Sequence, residues 1–117
     1  MKTINRYIDA IKGNIEFRLG QNAQENFDLI DASRPDDIWF HISGQSSGHV
    51  IASIPEGSNY DKKTIRRIII QGGIICKQFS RLKSEKDVNV IYSRVKNLVK
   101  TEKVGSVSIE EYKLLTV

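Results

Sequence analysis

A chain of 117 residues with 27% charged positions, a formal net charge of +4 and one cysteine excludes several classes of protein at once. A single Cys rules out an internal disulfide and a paired-Cys metal framework, and two His add too little for a zinc site of the common kind. No apolar run approaches the ~20 residues that span a bilayer and the first residues lack the apolar core of a secretory signal, so a one-domain cytoplasmic protein without cofactor or membrane partner is expected.

In chain order, alternating apolar and polar residues predict strands near 4–10 and 14–19; in the second, Ile15, Phe17 and Leu19 alternate with Glu16 and Arg18. A short helix over 21–32 follows from Ala23, Phe27 and Ile30 at helical spacing, and Pro35 closes it. Asn22 and Asn26 share one side of that helix, a pattern that fits capping and surface polarity. Gly20 just before it could leave backbone N–H groups free for a phosphate.

Residues 37–54 read as a β-hairpin holding the only Trp and both His of the chain. Ile38, Phe40 and Ile42 fall on one face, Trp39, His41 and Ser43 on the other; Gly44–Gly48 turns the chain, and 49–54 forms the second strand. A strand face carrying Trp39 and His41 suits stacking of unpaired bases, and it equally suits half-buried packing. Catalysis fits poorly. No Gly-x-Ser-x-Gly, His-Glu-x-x-His or paired carboxylates accompany His41 and His49, so no catalytic residue and no metal ligand is assigned.

Pro55–Asn59 is a loop by composition, with Ser58 or Asn59 available to cap a long helix over 61–80. Placing residues every 100° puts Ile65, Ile68, Ile69, Gly72, Ile75, Cys76 and Phe79 on one face and Lys63, Arg66, Arg67, Lys77 and Arg81 on the opposite one. Ile70 and Ile74 interrupt the basic stripe, so either another element covers them or they form an apolar patch for a protein or ribosomal partner. Gly72 and Gly73 cost about 1 kcal/mol each in a helix interior, and close approach to a sheet is the plain reason for Gly72.

The remainder predicts a strand at 88–93, a basic loop or short strand at 94–104, and strands at 105–109 and 112–117, with Tyr92 and Tyr112 as packing residues. Together these elements make one α+β domain over residues 1–117: a mostly antiparallel sheet, the long helix on one face and the short helix at an edge.

The hairpin Asp37-Ile-Trp-Phe-His41, followed by Ser47-Gly-His49-Val, resembles a signature of the NFACT RNA-binding domain. Three further blocks stand in the family's order: Gly20-Gln-Asn22-Ala-Gln-Glu-Asn26, Val88-Asn-Val90-Ile-Tyr92, and Lys96-Asn-Leu-Val-Lys100 followed by Gly105. They span residues 14–109 and are most similar to the short eukaryotic members in which this domain stands nearly alone. The resemblance implies contact with ribosomal or transfer RNA; in large multidomain relatives the domain belongs to factors that rescue stalled large ribosomal subunits. At 117 residues there is no room for their other domains, so tail synthesis is not expected. Ser46-Ser-Gly-His49 replaces the commoner Pro-Gly-Ser-His, which predicts a more mobile hairpin tip.

Charge distribution agrees with a polyanion partner. Residues 1–61 hold five Lys/Arg against nine Asp/Glu, a net of −4, whereas residues 62–103 hold twelve against three, a net of +9. The expected nucleic-acid contacts are Lys63, Arg66, Arg67, Lys77 and Arg81 on the long helix, Arg94, Lys96 and Lys100 beyond it, and, from the resemblance, Asn22, Asn26, Trp39, His41 and His49. Alternatives that stay open are a DNA-binding module and a protein interaction module acting through Ile70 and Ile74.

Overall fold

The computed structural model describes residues 1–117. The chain opens with β1 (Lys2–Ile8) and β2 (Gly13–Leu19), an antiparallel pair joined by a 3-10 turn over Asp9–Ile11. Lys12 closes that turn at φ 51°, so the first strand starts and ends two residues earlier than the alternation suggested. Ile15, Phe17 and Leu19 of β2 are buried, as their spacing required.

The hairpin follows as β3 (Ile38–Ile42) and β4 (Val50–Ala52), with β4 inserted between β3 and β2. β5 (Asn89–Arg94) pairs with β3 in the register Ile38↔Arg94, Phe40↔Tyr92 and Ile42↔Val90. β8 (Lys113–Thr116) closes the far edge, giving a six-stranded sheet of order β1-β2-β4-β3-β5-β8 in which all neighbours are antiparallel. Tyr112 precedes this last strand and is exposed, so it does not pack as expected.

One face of the sheet is covered by α2 (Lys62–Gln78). Its cap is Asp61, not Ser58 or Asn59: the carboxylate accepts the Thr64 N–H at 2.8 Å, which also holds the Asp61 carboxyl below the usual range. Ile68, Ile69, Ile75 and Cys76 are buried against Phe17, Phe40, Val50 and Val90, each buried isoleucine stabilising the fold by about 1.5–3 kcal/mol. Gly72 lies on the Phe40 ring and Gly73 on Leu115, so closely that a Cβ at either would overlap its neighbour. Phe79, assigned to the buried stripe, instead sits at the helix end, exposed, with Lys2 Nζ 4.8 Å from its ring centre.

The other face is also covered. α1 (Ala23–Asp31), the short helix expected at an edge, packs beside β2 with Leu29 against Trp39 and Ile51. Beside it lies a separate two-stranded hairpin of β6 (Leu98–Lys100) and β7 (Val107–Ile109), reached through a 3-10 turn at Val95–Asn97; Val95, Leu98, Val107 and Ile109 complete this second cluster. β3 is therefore buried on both sides, and the Trp39 face is not the open surface that alternation alone implied.

Candidate nucleic-acid interface

The outward stripe of α2 presents Lys62, Lys63, Arg66 and Arg67 to solvent, and Arg81, Lys83 and Lys86, beyond the helix end, are exposed as well. Lys77 is half-buried, its ammonium donating to the Val117 carbonyl at 3.2 Å. None of these cations forms a salt bridge; the six in the structure involve other residues. A run of cations without carboxylate partners is the arrangement that exchanges small counterions for phosphates at little cost. Ile74 stands among them 40% exposed, while Ile70 is half-buried against the core.

Arg94, Lys96 and Lys100 are placed differently. The Arg94 guanidinium donates to the Asp36 carbonyl, Lys96 Nζ lies 3.4 Å from Asp36 Oδ1, and Lys100 Nζ lies 2.6 Å from Asp31 Oδ1 and 5.1 Å from the Phe27 ring centre. These surface pairs contribute at most about 1 kcal/mol each, so a phosphate can compete for the ammonium groups. The Lys96 and Lys100 charges are nonetheless partly offset by carboxylates, whereas Arg94, like the α2 stripe, has no carboxylate partner.

The hairpin residues meet on the second face of the sheet, in a cleft of about 690 Å³ between the α1 N-terminus, the β3–β4 loop and the β6–β7 turn. Asn22 caps α1, accepting the Glu25 N–H at 2.9 Å, and stands at the cleft mouth. Gly20 does not leave its N–H free for phosphate: it donates to the His49 carbonyl at 2.9 Å, and a Cβ on Gly20 would overlap Asn26. Asn26 in turn accepts the His49 N–H at 3.0 Å, so Gly20, Asn26 and His49 lock α1 to the hairpin.

Trp39 is 1% exposed and His49 2%, whereas His41 is half-buried. The Trp39 and His41 rings are nearly parallel, 6° apart with centroids at 5.7 Å, and His49 stands edge-on to both at 5.2 and 5.3 Å. Burial pushes both imidazoles below their ordinary range, His49 to about 3 with the neighbouring His41 adding to the shift. Both rings are therefore neutral at pH 7. Cys76 lies in the core on the α2 side, its thiol pushed up to about 12 by burial.

The thirteen residues expected to contact nucleic acid thus fall into three sets: the α2 stripe on one side of the sheet, Asn22, Asn26, Trp39, His41 and His49 around the cleft on the other, and Arg94, Lys96 and Lys100 paired with Asp36 and Asp31. Two cleft features, Lys103 of the basic segment and Gly105 of the last family block, were not among the expected contacts. Lys103 lines the cleft as its sole cation, and Gly105, at φ 85°, sits so tightly on Ala23 that the β6–β7 turn is held against α1. A glycine closing the short, mostly polar run Thr101-Glu-Lys-Val-Gly105 between two apolar segments is a hairpin signal that would have placed both at a turn.

The family model described as "NFACT protein RNA binding domain" matches residues 11–111. Coiled-coil domain-containing protein 25 of Danio rerio and of Mus musculus are each 32% identical to the chain over 93 residues, covering 71% of this chain and 40% of each relative. The homologue in Dictyostelium discoideum is 30% identical over the same length. The chain thus spans less than half the length of the curated relatives it matches. The C-terminal part of the fibronectin/fibrinogen-binding protein from Streptococcus suis superposes on the whole chain with a TM-score of 0.79 at 20% identity, over 45% of that structure, a likeness of fold.

Proposed function

This chain belongs to the NFACT protein RNA binding domain family, and from that premise we propose that it binds RNA through phosphate contacts made by the outward stripe of α2. The observation that carries the reading is the set of exposed cations Lys62, Lys63, Arg66 and Arg67 on α2, followed in the chain by exposed Arg81, Lys83 and Lys86, none of them in a salt bridge. Lys63, Arg66 and Arg67 lie within two turns of a rigid helix and present a fixed spacing of charge. Arg81, Lys83 and Lys86 follow in the chain, exposed. Lys96 and Lys100 supply further charge once Asp36 and Asp31 are displaced, and Arg94, held only by a backbone carbonyl, adds its own.

Ribosomal or transfer RNA is the substrate class implied by the family, which would place the protein in the cytoplasm near the large ribosomal subunit and its quality control. No helix is long and apolar enough to cross a membrane. The site chemistry needs neither a cofactor nor a catalytic group. A protein partner is a second reading favoured by Ile74, exposed amid the cations; Ile74→Asp would then abolish a pull-down from ribosomal fractions while leaving affinity for naked RNA unchanged.

The deciding experiment is binding of the chain to transfer RNA, a ribosomal RNA fragment and duplex DNA across a salt series. The plot of log affinity against log salt is expected to be linear. Lys63→Gln/Arg66→Gln/Arg67→Gln flattens its slope by about 0.7–0.9 for each phosphate that the variant no longer neutralises. Salt-independent binding removes the electrostatic reading, and equal affinity for duplex DNA turns it into general polyanion binding.

A further inference from the structure

The cleft on the second face has a chemistry that phosphate binding by α2 does not use. Its lining contains no carboxylate, a single cation in Lys103, and otherwise amides, hydroxyls, imidazoles and apolar groups. We propose that it takes one unpaired nucleotide, the base laid against His41 and the phosphate placed at the α1 N-terminus beside Lys103.

Size comes first. About 690 Å³ is within the range of small-molecule sites and leaves room for a base and its ribose. The position of Trp39 then decides which ring a base can meet. Trp39 is buried and already lies parallel to His41, so an incoming ring meets the half-buried imidazole and Ile91, with Trp39 supporting from beneath.

Hydrogen bonding fits a base better than a bare anion. Two of the three buried side-chain polar atoms without a partner, Trp39 Nε1 and His49 Nδ1, belong to residues lining this cleft. Buried groups of this type are ordinarily paired. Because both imidazoles are neutral, each carries one donor and one acceptor, the mixture shown by the edge of a nucleobase; a phosphate offers acceptors alone. Gln21, Asn22 and Gln45 add amides that can read such an edge.

Charge orients the nucleotide. The α1 N-terminus opens on the cleft through Asn22 and Ala23, and a helix N-terminus favours an anion. Lys103 stands across the same opening on the turn that Gly105 anchors to Ala23. The phosphate therefore belongs at the mouth and the base inside. The same chemistry is offered by a nucleotide of an RNA chain and by one from the free pool.

Trp39 is the only Trp, so its emission reads the cleft without a label. The test titrates the full chain with the four ribonucleoside monophosphates and with a single-stranded hexaribonucleotide, following that emission and the His41 and His49 ring resonances. A saturable change at both probes is expected. His41→Ala weakens binding about tenfold or more, the size of one base-stacking interaction. Lys103→Gln, exposed at the rim, weakens it about threefold and keeps the test valid should the His41 variant fail to fold. A hexamer about tenfold tighter than a monophosphate identifies a strand as the source; equal affinity identifies the free nucleotide. The proposal is overturned if neither ligand perturbs the probes, or if Arg66→Gln/Arg67→Gln abolishes the monophosphate response while Lys103→Gln leaves it intact. RNA binding by α2 and nucleotide binding in the cleft are read by different variants, so each can fail without the other.

Discussion

The Asn26 side-chain oxygen accepts the His49 backbone N–H at 3.0 Å, joining α1 to the β3–β4 hairpin across 23 residues of chain. Both residues are buried, so removing the acceptor leaves the His49 N–H without its protein partner. Asn26→Ala is expected to cost about 1–3 kcal/mol, the penalty of an unsatisfied buried N–H, and to lower the thermal midpoint by several degrees. Asn26→Asp keeps an acceptor and should cost less at neutral pH. Calorimetry of the two variants checks the order.

Asp37 makes a second tie of the same kind. Its two carboxylate oxygens accept the Ile54 N–H at 2.8 Å and the Arg34 N–H at 2.9 Å, binding the loops that flank β3 and β4, while its own carbonyl accepts the Val95 N–H. Asp37→Ala is expected to destabilise by about 2–4 kcal/mol, because the Ile54 N–H is buried. Asp37→Asn, which keeps one acceptor, should fall between. Urea unfolding midpoints of the two variants and the parent decide this, and an Asp37→Ala midpoint equal to the parent's contradicts the clamp.

What the sequence made legible is what period alone controls. Ile15, Phe17 and Leu19 alternate and are buried; Ile68, Ile69, Gly72, Ile75 and Cys76 recur at helical spacing and form the core under α2. The second face was not legible because its cover comes from segments distant in the chain. Trp39 and His41 read as half-exposed by alternation, and Trp39 is enclosed by Leu29 from α1, Val95 from the turn after β5, and Leu98, Val107 and Ile109 from the β6–β7 hairpin. The pairing of Lys100 with Asp31, 69 residues apart, has no local signal either. The candidate residues around the hairpin were named from sequence; their assembly with Lys103 into one cleft came from the β6–β7 turn docking on α1.

Gly72 is required for volume. A Cβ there meets the Phe40 ring, which is fully buried and cannot swing away. Gly72→Ala therefore loses more through overpacking than it gains in helix propensity, and a net cost of about 1–3 kcal/mol is expected. Phe40→Leu combined with Gly72→Ala should recover part of that loss, since the smaller side chain vacates the space. A double-mutant cycle measured by urea unfolding gives a coupling energy well away from zero if the two positions share this contact.

Stability should fall on mild acidification, and the sign follows from His49. Its folded pKa is pushed down to about 3, whereas an imidazole in the unfolded chain titrates near 6.5. Between those values the unfolded state binds the extra proton, so unfolding becomes easier as pH falls; the stabilisation is complete above about 6.5 and is lost progressively toward 3. By pH 5 the loss attributable to His49 is about 2 kcal/mol, and the downward shift of His41 acts in the same direction. His49→Gln removes the titrating group, so the variant loses less stability than the parent between pH 7 and pH 5 even if it starts less stable. Urea unfolding at pH 7, 6 and 5 separates the two effects, because the starting offset is constant with pH and the titration is not. Parallel curves for parent and variant would mean that His49 is already protonated, or free to protonate, in the folded protein.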